Sequence, residues 1–175
     1  MHLALLILRV VAGGVFAGHG AQKLFGLFGG HGLEGTGRFF DSIGLRPGRH
    51  QALAAGLAEF VGGALLALGL FVPVAALLII SVMTAAVWTV HLKNGLWATN
   101  SGYELNLLYA TIAFAAAGVG PGHWSLDHVL GFSDHGVLWA IGALVIGAAG
   151  AISTVSAGRW LGRTTPSDGA HPTPA

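Results

Sequence analysis

Apolar residues fall in five long blocks along the chain, at residues 3–21, 53–71, 74–92, 103–119 and 137–155. Each approaches the roughly 20 mainly apolar residues that a membrane-spanning helix needs. Few polar positions break them: Arg9 and His19 in the first, Glu59 in the second, His91 near the end of the third. Pro73 lies between the second and third blocks, where proline can end one helix and begin the next. No basic stretch precedes the first block and no small-residue cleavage site follows it, so it reads as a span rather than a signal peptide. The expected fold is all-α, a polytopic integral membrane helical bundle of five spans within residues 1–157, the fourth span being the shortest. Residues 158–175 are expected to form a polar C-terminal tail. From Thr164 onward this tail carries three prolines and no large apolar residue, the composition of a disordered segment. The glycine-rich stretch 26–37 is expected to be flexible, and it lacks the phosphate-loop pattern.

Composition agrees with a lipid-embedded chain. Of 175 residues, 54 % are hydrophobic and 9 % charged, with a mean hydropathy of +0.72. Soluble domains carry about 25 % charge. Glycine, frequent in membrane helices, occurs 29 times. The formal net charge is +1, and no basic cluster, zinc-finger spacing or helix-turn-helix pattern points to nucleic acid. Cysteine is absent, which removes disulfides, thiol nucleophiles, Cys-zinc sites and Fe–S ligation. Any redox role must therefore use a bound cofactor or a partner.

The loops assign an orientation. Side A is the face that receives the N-terminus, the 71–73 turn and the 120–136 loop; side B receives the 22–51 and 93–102 loops and the C-terminus. Lys23, Arg38, Arg46, Arg49, Lys93, Arg159 and Arg163 all fall on side B, and none on side A, because Arg9 lies within the first span. The positive-inside rule then makes side B cytoplasmic and puts the N-terminus outside. The expected location is the bacterial inner (cell) membrane.

Polar residues inside the spans carry the functional argument, because an ionisable side chain in hydrocarbon costs at least about 2.5–3.5 kcal/mol. Glu59 sits roughly 9 Å from the side-B end of its span. His19, Gln22 and Lys23 reach the same depth along one face of the first span. Trp88 and His91 do so at the end of the third, and Tyr103, Glu104 and Asn106 at the start of the fourth, with Tyr109 nearby. Arg9 is nearer side A and is expected either to reach towards Glu59 or to snorkel outward. Plainer readings stand beside these. Lys23 can be a snorkelling anchor, Glu104 half of a capping box with Ser101, His91 a helix-end group that only bonds a carbonyl, and Trp88, Trp97 and Tyr103 an aromatic belt. Glu59 can form a structural ion pair with Arg9 or Lys23. His123, Asp127, His128, Asp134 and His135 in the side-A loop match no metal spacing. They read as solvated, with Trp124 and Phe132 seating the loop at the interface. Gly14 with Gly18, and Ala143 with Gly147 and Ala151, read as small-residue packing faces.

The stretches RVVAGGVFAGHGAQKLFGLFGG (9–30), GLAEFVGGALLALGLFVPVAA (56–76), VHLKNGLW (90–97) and GYELNLLYATIA (102–113) together resemble the DoxX family of small bacterial membrane proteins. The resemblance covers roughly residues 5–118. It implies a four-helix membrane core, to which the block at 137–155 adds a fifth, C-terminal transmembrane helix. The family is similar to the DoxD subunits associated with thiosulfate:quinone oxidoreductase, and its members are described as components of membrane oxidoreductase systems. Arg9, His19, Gln22, Lys23, Glu59, His91, Glu104 and Asn106 fall in the family-like segments, and the resemblance gives none of them a chemical role.

Chemistry then frames the expected function as a quinone- or quinol-interacting component of a membrane oxidoreductase system. Quinone carbonyls need hydrogen-bond donors, and quinol oxidation needs a proton acceptor; a His–Glu cluster with aromatics supplies both. Glu59, His91 and His19 are the expected catalytic residues. Gln22, Lys23, Glu104, Asn106, Trp88, Tyr103 and Arg9 are the expected ligand contacts. Quinone is the expected cofactor, its isoprenoid tail lying between helices, with no metal or haem site. Expected partners are the lipid bilayer, a membrane or peripheral redox partner protein, and further copies of the chain. The alternatives are a non-enzymatic assembly scaffold and a small-molecule or proton-coupled carrier.

Overall fold

The computed structural model describes residues 2–164, so the tail expected to be disordered lies outside the described residues from position 165 onward. Helix α1 (His2–Phe25) runs from side A to side B. A 3-10 turn (Leu27–Gly29) and the short helix α2 (Gly32–Ser42) follow. Helix α3 (Gly48–Leu68) returns to side A, and α4 (Val72–Ala86) crosses back, widening at its end into one π-helical turn (Val87–His91). Helix α5 (Glu104–Val119) returns, α6 (Leu126–Leu130) sits in the side-A loop, and α7 (Val137–Thr164) ends on side B. No strand occurs among the described residues, and the chain is an all-α polytopic membrane bundle.

Three sequence expectations change. The 26–37 stretch folds as a turn and the start of α2 rather than as a flexible loop. The last helix continues past 155 to Thr164, so residues 158–164 are helical and not tail. By length and apolar character α1, α3, α4 with its π turn (Val72–Asn94) and α7 are full spans. The helix α5 has 16 residues, about 24 Å at 1.5 Å per residue, short of a hydrocarbon core of roughly 30 Å. The added C-terminal helix is thus a full span, and the short helix lies inside the family-like region.

Helix α4 is the centre of the bundle. Val72, Ala75, Ala76, Ile79 and Ile80 on it are fully buried against α3, α5 and α7. Helix α1 lies along α3 and makes the most extensive helix pair. The residues that permit this are Gly13, Gly20 and Gly63: a Cβ on Gly63 would meet the Gly13 oxygen at 2.6 Å and the Ala17 Cα at 2.9 Å. Gly14 and Gly18 face open space instead, so the expected Gly14–Gly18 face is off by one helical step. On α7, Ala143, Gly147 and Ala151 are buried, and Gly147 abuts the Leu77 carbonyl of α4. Small residues let membrane helices approach this closely.

The turn between α3 and α4 is built across the chain. Gly69 closes α3 in the left-handed region at φ 63°. A side chain there would collide with the Arg9 guanidinium and Ser125. Asp127, 56 residues away from the turn in sequence, accepts the backbone N–H of Phe71 at 2.8 Å and of Val72 at 3.2 Å. It thereby satisfies donors that a helix start leaves orphaned.

Candidate functional site

The side-B third of the bundle gathers polar side chains from α1, α3, α4 and α5. Lys23, in the last turn of α1, donates to both carboxylate oxygens of Glu59 at 2.8 and 2.6 Å. The Glu59 side chain is 4 % exposed and that of Lys23 26 %. The close α1–α3 approach at Gly20, whose Cβ would strike the Gly56–Phe60 backbone, sets the register that brings this pair together.

His91 enters from the π-helical turn of α4, a rare element that often marks functional positions. Its Nδ1 lies 2.7 Å from the carbonyl oxygen of Ser101. A carbonyl only accepts, so Nδ1 carries the hydrogen, and Nε2 of the neutral ring is left as an acceptor. The 92–103 segment folds back on itself through Tyr103 N–H to Gly95 O (3.1 Å) and Glu104 N–H to Leu96 O (2.8 Å). This presents Ser101 and Gly102 to the bundle.

A cavity of about 360 Å³ lies between these groups, reached by His19, Lys23, Glu59, His91, Asn106 and Tyr109. A second, of about 540 Å³, lies behind it among α2, α3, α4 and α7, where Gln51 and Thr89 add polar groups. Lys23, Glu59, Ala86 and His91 line both, so the ion pair and the imidazole form the wall between them.

Other expected site residues lie elsewhere. Gln22 accepts from His19 Nδ1 at 3.1 Å and donates to the Phe28 carbonyl at 3.1 Å, tying the end of α1 to the next turn. The Glu104 carboxylate accepts the Ala98 N–H at 2.8 Å, bracing the 92–103 segment instead of closing a box with Ser101. Trp88 packs under the Arg159 guanidinium, 4.9 Å from the ring centroid. Trp88 and Tyr103 both face a separate cleft among α4, α5 and α7. Asn106 lies between that cleft and the cavity and donates to the Met83 sulfur at 3.5 Å.

Arg9 is the largest correction. It reaches neither Glu59 nor the surface. It is 1 % exposed at the side-A end, where Nη2 donates to the Trp124 carbonyl at 2.6 Å and Asp127 supplies opposing charge. The side-A loop is accordingly not solvated throughout, since Ser125 and Asp127 are buried. Phe132 packs on Phe71 with ring centroids 5.1 Å apart, whereas Trp124 is exposed. Among the described residues no group of three or more His, Asp or Glu is placed to hold a metal ion.

Sequence reasoning overlooked Asp127 as a cap, and Gln51, Thr89 and the aromatic face of α2 (Phe39, Phe40) as cavity walls. The available signal was Phe39–Phe40, a large apolar pair within the side-B loop 22–51.

A family model for DoxX matches residues 4–92, just over half of the chain and ending before α5. A curated relative from Bacillus subtilis (strain 168), named "Putative oxidoreductase CatD", is 34 % identical over 113 residues, covering 65 % of this chain and 78 % of the relative. No solved structure matches the chain.

Proposed function

The chain belongs to the DoxX family, and from that premise we propose that it is a quinone- or quinol-binding component of a membrane oxidoreductase system. One observation carries the reading: the 360 Å³ cavity at the side-B end, where cationic, acidic, imidazole, amide and phenol groups from four helices converge. Its volume is in the range of small-molecule sites, about 300–1,000 Å³. The oxidoreductase name of the Bacillus subtilis relative is consistent with it.

The donor set suits a quinone ring. Lys23, Asn106 and Tyr109 offer N–H and O–H donors to carbonyl oxygens. His91, its Nδ1–H held by Ser101, presents Nε2 as an acceptor for a hydroxyl proton. Glu59 is a second acceptor once Lys23 turns to the ligand. A bound quinol supplies the electrons and protons; the residues of this chain bind the ring and take up protons, and electrons pass to a partner. Side B is the cytoplasmic face in this reading, by its excess of Lys and Arg.

A structural role for Lys23–Glu59, as in an assembly scaffold, is favoured by the closed pair geometry. The two readings part on one measurement. Protein purified in mild detergent is extracted and its quinone quantified, with Glu59→Gln and His91→Ala alongside. Near-stoichiometric quinone that both variants lose supports the proposal. Quinone no higher than in an unrelated membrane protein overturns it.

A further inference from the structure

The side-B cavity does not end at its polar walls. Leu105 and Tyr109 of α5 line it and also line a cleft of about 630 Å³ between α1 and α5. That cleft is otherwise apolar, with Ile7, Val11 and Val15 on one wall and Leu108 and Ile112 on the other. It follows α1 from Val15 back to Ala4, about 16 Å along the helix axis, from the depth of the polar cavity towards side A. We infer that this cleft holds the isoprenoid tail of a ligand whose ring occupies the polar cavity, so that the protein takes tailed, membrane-resident quinones over tail-less rings. The inference rests on the quinone reading above.

Three features select this occupant and this route. First, the polar end of the cleft lies inside the bundle. A phospholipid keeps its phosphate at the membrane surface, whereas a polyprenyl quinone can bring its uncharged ring inside. Second, the boundary is thin: only Leu105, 58 % exposed, and Tyr109 line both spaces, and α1 and α5 are otherwise loosely packed, meeting there through Phe16 and Tyr109 with ring centroids 5.3 Å apart. Third, the two other cavities that adjoin the polar one are walled off. The cleft among α4, α5 and α7 shares Met83 and Asn106 with the cavity, but both are buried and hydrogen-bonded to each other. The cavity towards α2 lies behind the Lys23–Glu59 pair.

The test measures binding of menaquinone and of menadione, the same ring without a tail, to the full chain in nanodiscs, with ubiquinone and its tail-less ring run in parallel. Val11→Trp and Leu108→Trp fill the α1–α5 cleft from opposite exposed walls, so the test survives the misfolding of either one. Leu107→Trp fills the neighbouring cleft as a control. We expect the wild type to bind one tailed quinone at least tenfold more tightly than its ring. The two cleft variants should erase that preference and leave ring affinity unchanged, which also shows that they are folded. Leu107→Trp should keep it. Rings that bind while the cleft variants leave tail preference intact, or a loss confined to Leu107→Trp, overturn the inference and leave the quinone reading standing; the α1–α5 cleft then holds ordinary lipid. Failure of every quinone to bind the wild type ends the quinone reading itself.

Discussion

Replacing Lys23 with Met removes the ammonium that contacts both Glu59 oxygens and keeps an unbranched apolar stem. The variant leaves a carboxylate that is 4 % exposed without its cation. At about 2.7 Å and an effective dielectric of 20 the bare attraction is about 6 kcal/mol, most of which the desolvation of the two charges offsets. Removing one partner of a buried pair costs about 3–5 kcal/mol. Two effects reduce this here: Lys23 is 26 % exposed, and a membrane-embedded unfolded chain finds other polar partners. The expected loss for Lys23→Met is therefore about 2 kcal/mol. Glu59→Gln should cost less, about 1 kcal/mol, because the freed ammonium can extend to the side-B surface on its flexible stem. The carboxylate in Lys23→Met has no such escape. The double variant should return close to the wild type, a coupling of about 3 kcal/mol. Unfolding of all four proteins by increasing SDS in mixed micelles gives the cycle directly. A Lys23→Met no less stable than Glu59→Gln, or a double variant whose losses simply add, would refute the assignment of this pair as buried and coupled.

Other consequences are equally direct. Gly63→Val should cost more than about 3 kcal/mol or abolish folding, because the new Cβ meets backbone of α1 that cannot yield; Gly14→Ala, facing open space, should stay within about 0.5 kcal/mol. Thermal unfolding of the two in one detergent checks the contrast, and equal effects would contradict the helix register. Asp127→Ala should lose more than about 1 kcal/mol, because α4 loses its cap and buried Arg9 loses its opposing charge, with Asp127→Asn recovering only part of the cap's share; no loss in the alanine variant would mean that the 71–72 N–H groups and Arg9 find other partners. A C-terminal alkaline phosphatase fusion should be inactive and a C-terminal green fluorescent fusion bright, as a cytoplasmic side B requires; the reverse pattern inverts the orientation.

Much of this protein is legible in one dimension. The apolar blocks give the spans, because burying backbone in lipid demands helices of set length. Helical periodicity puts His19 and Lys23 on one face, and counting residues puts Glu59, His91 and Asn106 at the same depth, which the polar cavity brings together. Rotation and register between helices are a different matter. No period within α1 states that Gly13 and Gly20, rather than Gly14 and Gly18, meet α3; that depends on how two surfaces fit. The same fit decides that Lys23 and not Arg9 pairs with Glu59. It also turns Tyr103 and Trp88 into a neighbouring cleft. Asp127 is the furthest from reach, since its carboxylate caps a helix whose start lies 56 residues away. Sequence fixes the depth of each group through the rise per residue. Only the packed bundle fixes its direction, because direction is set by close contacts between segments distant in the chain.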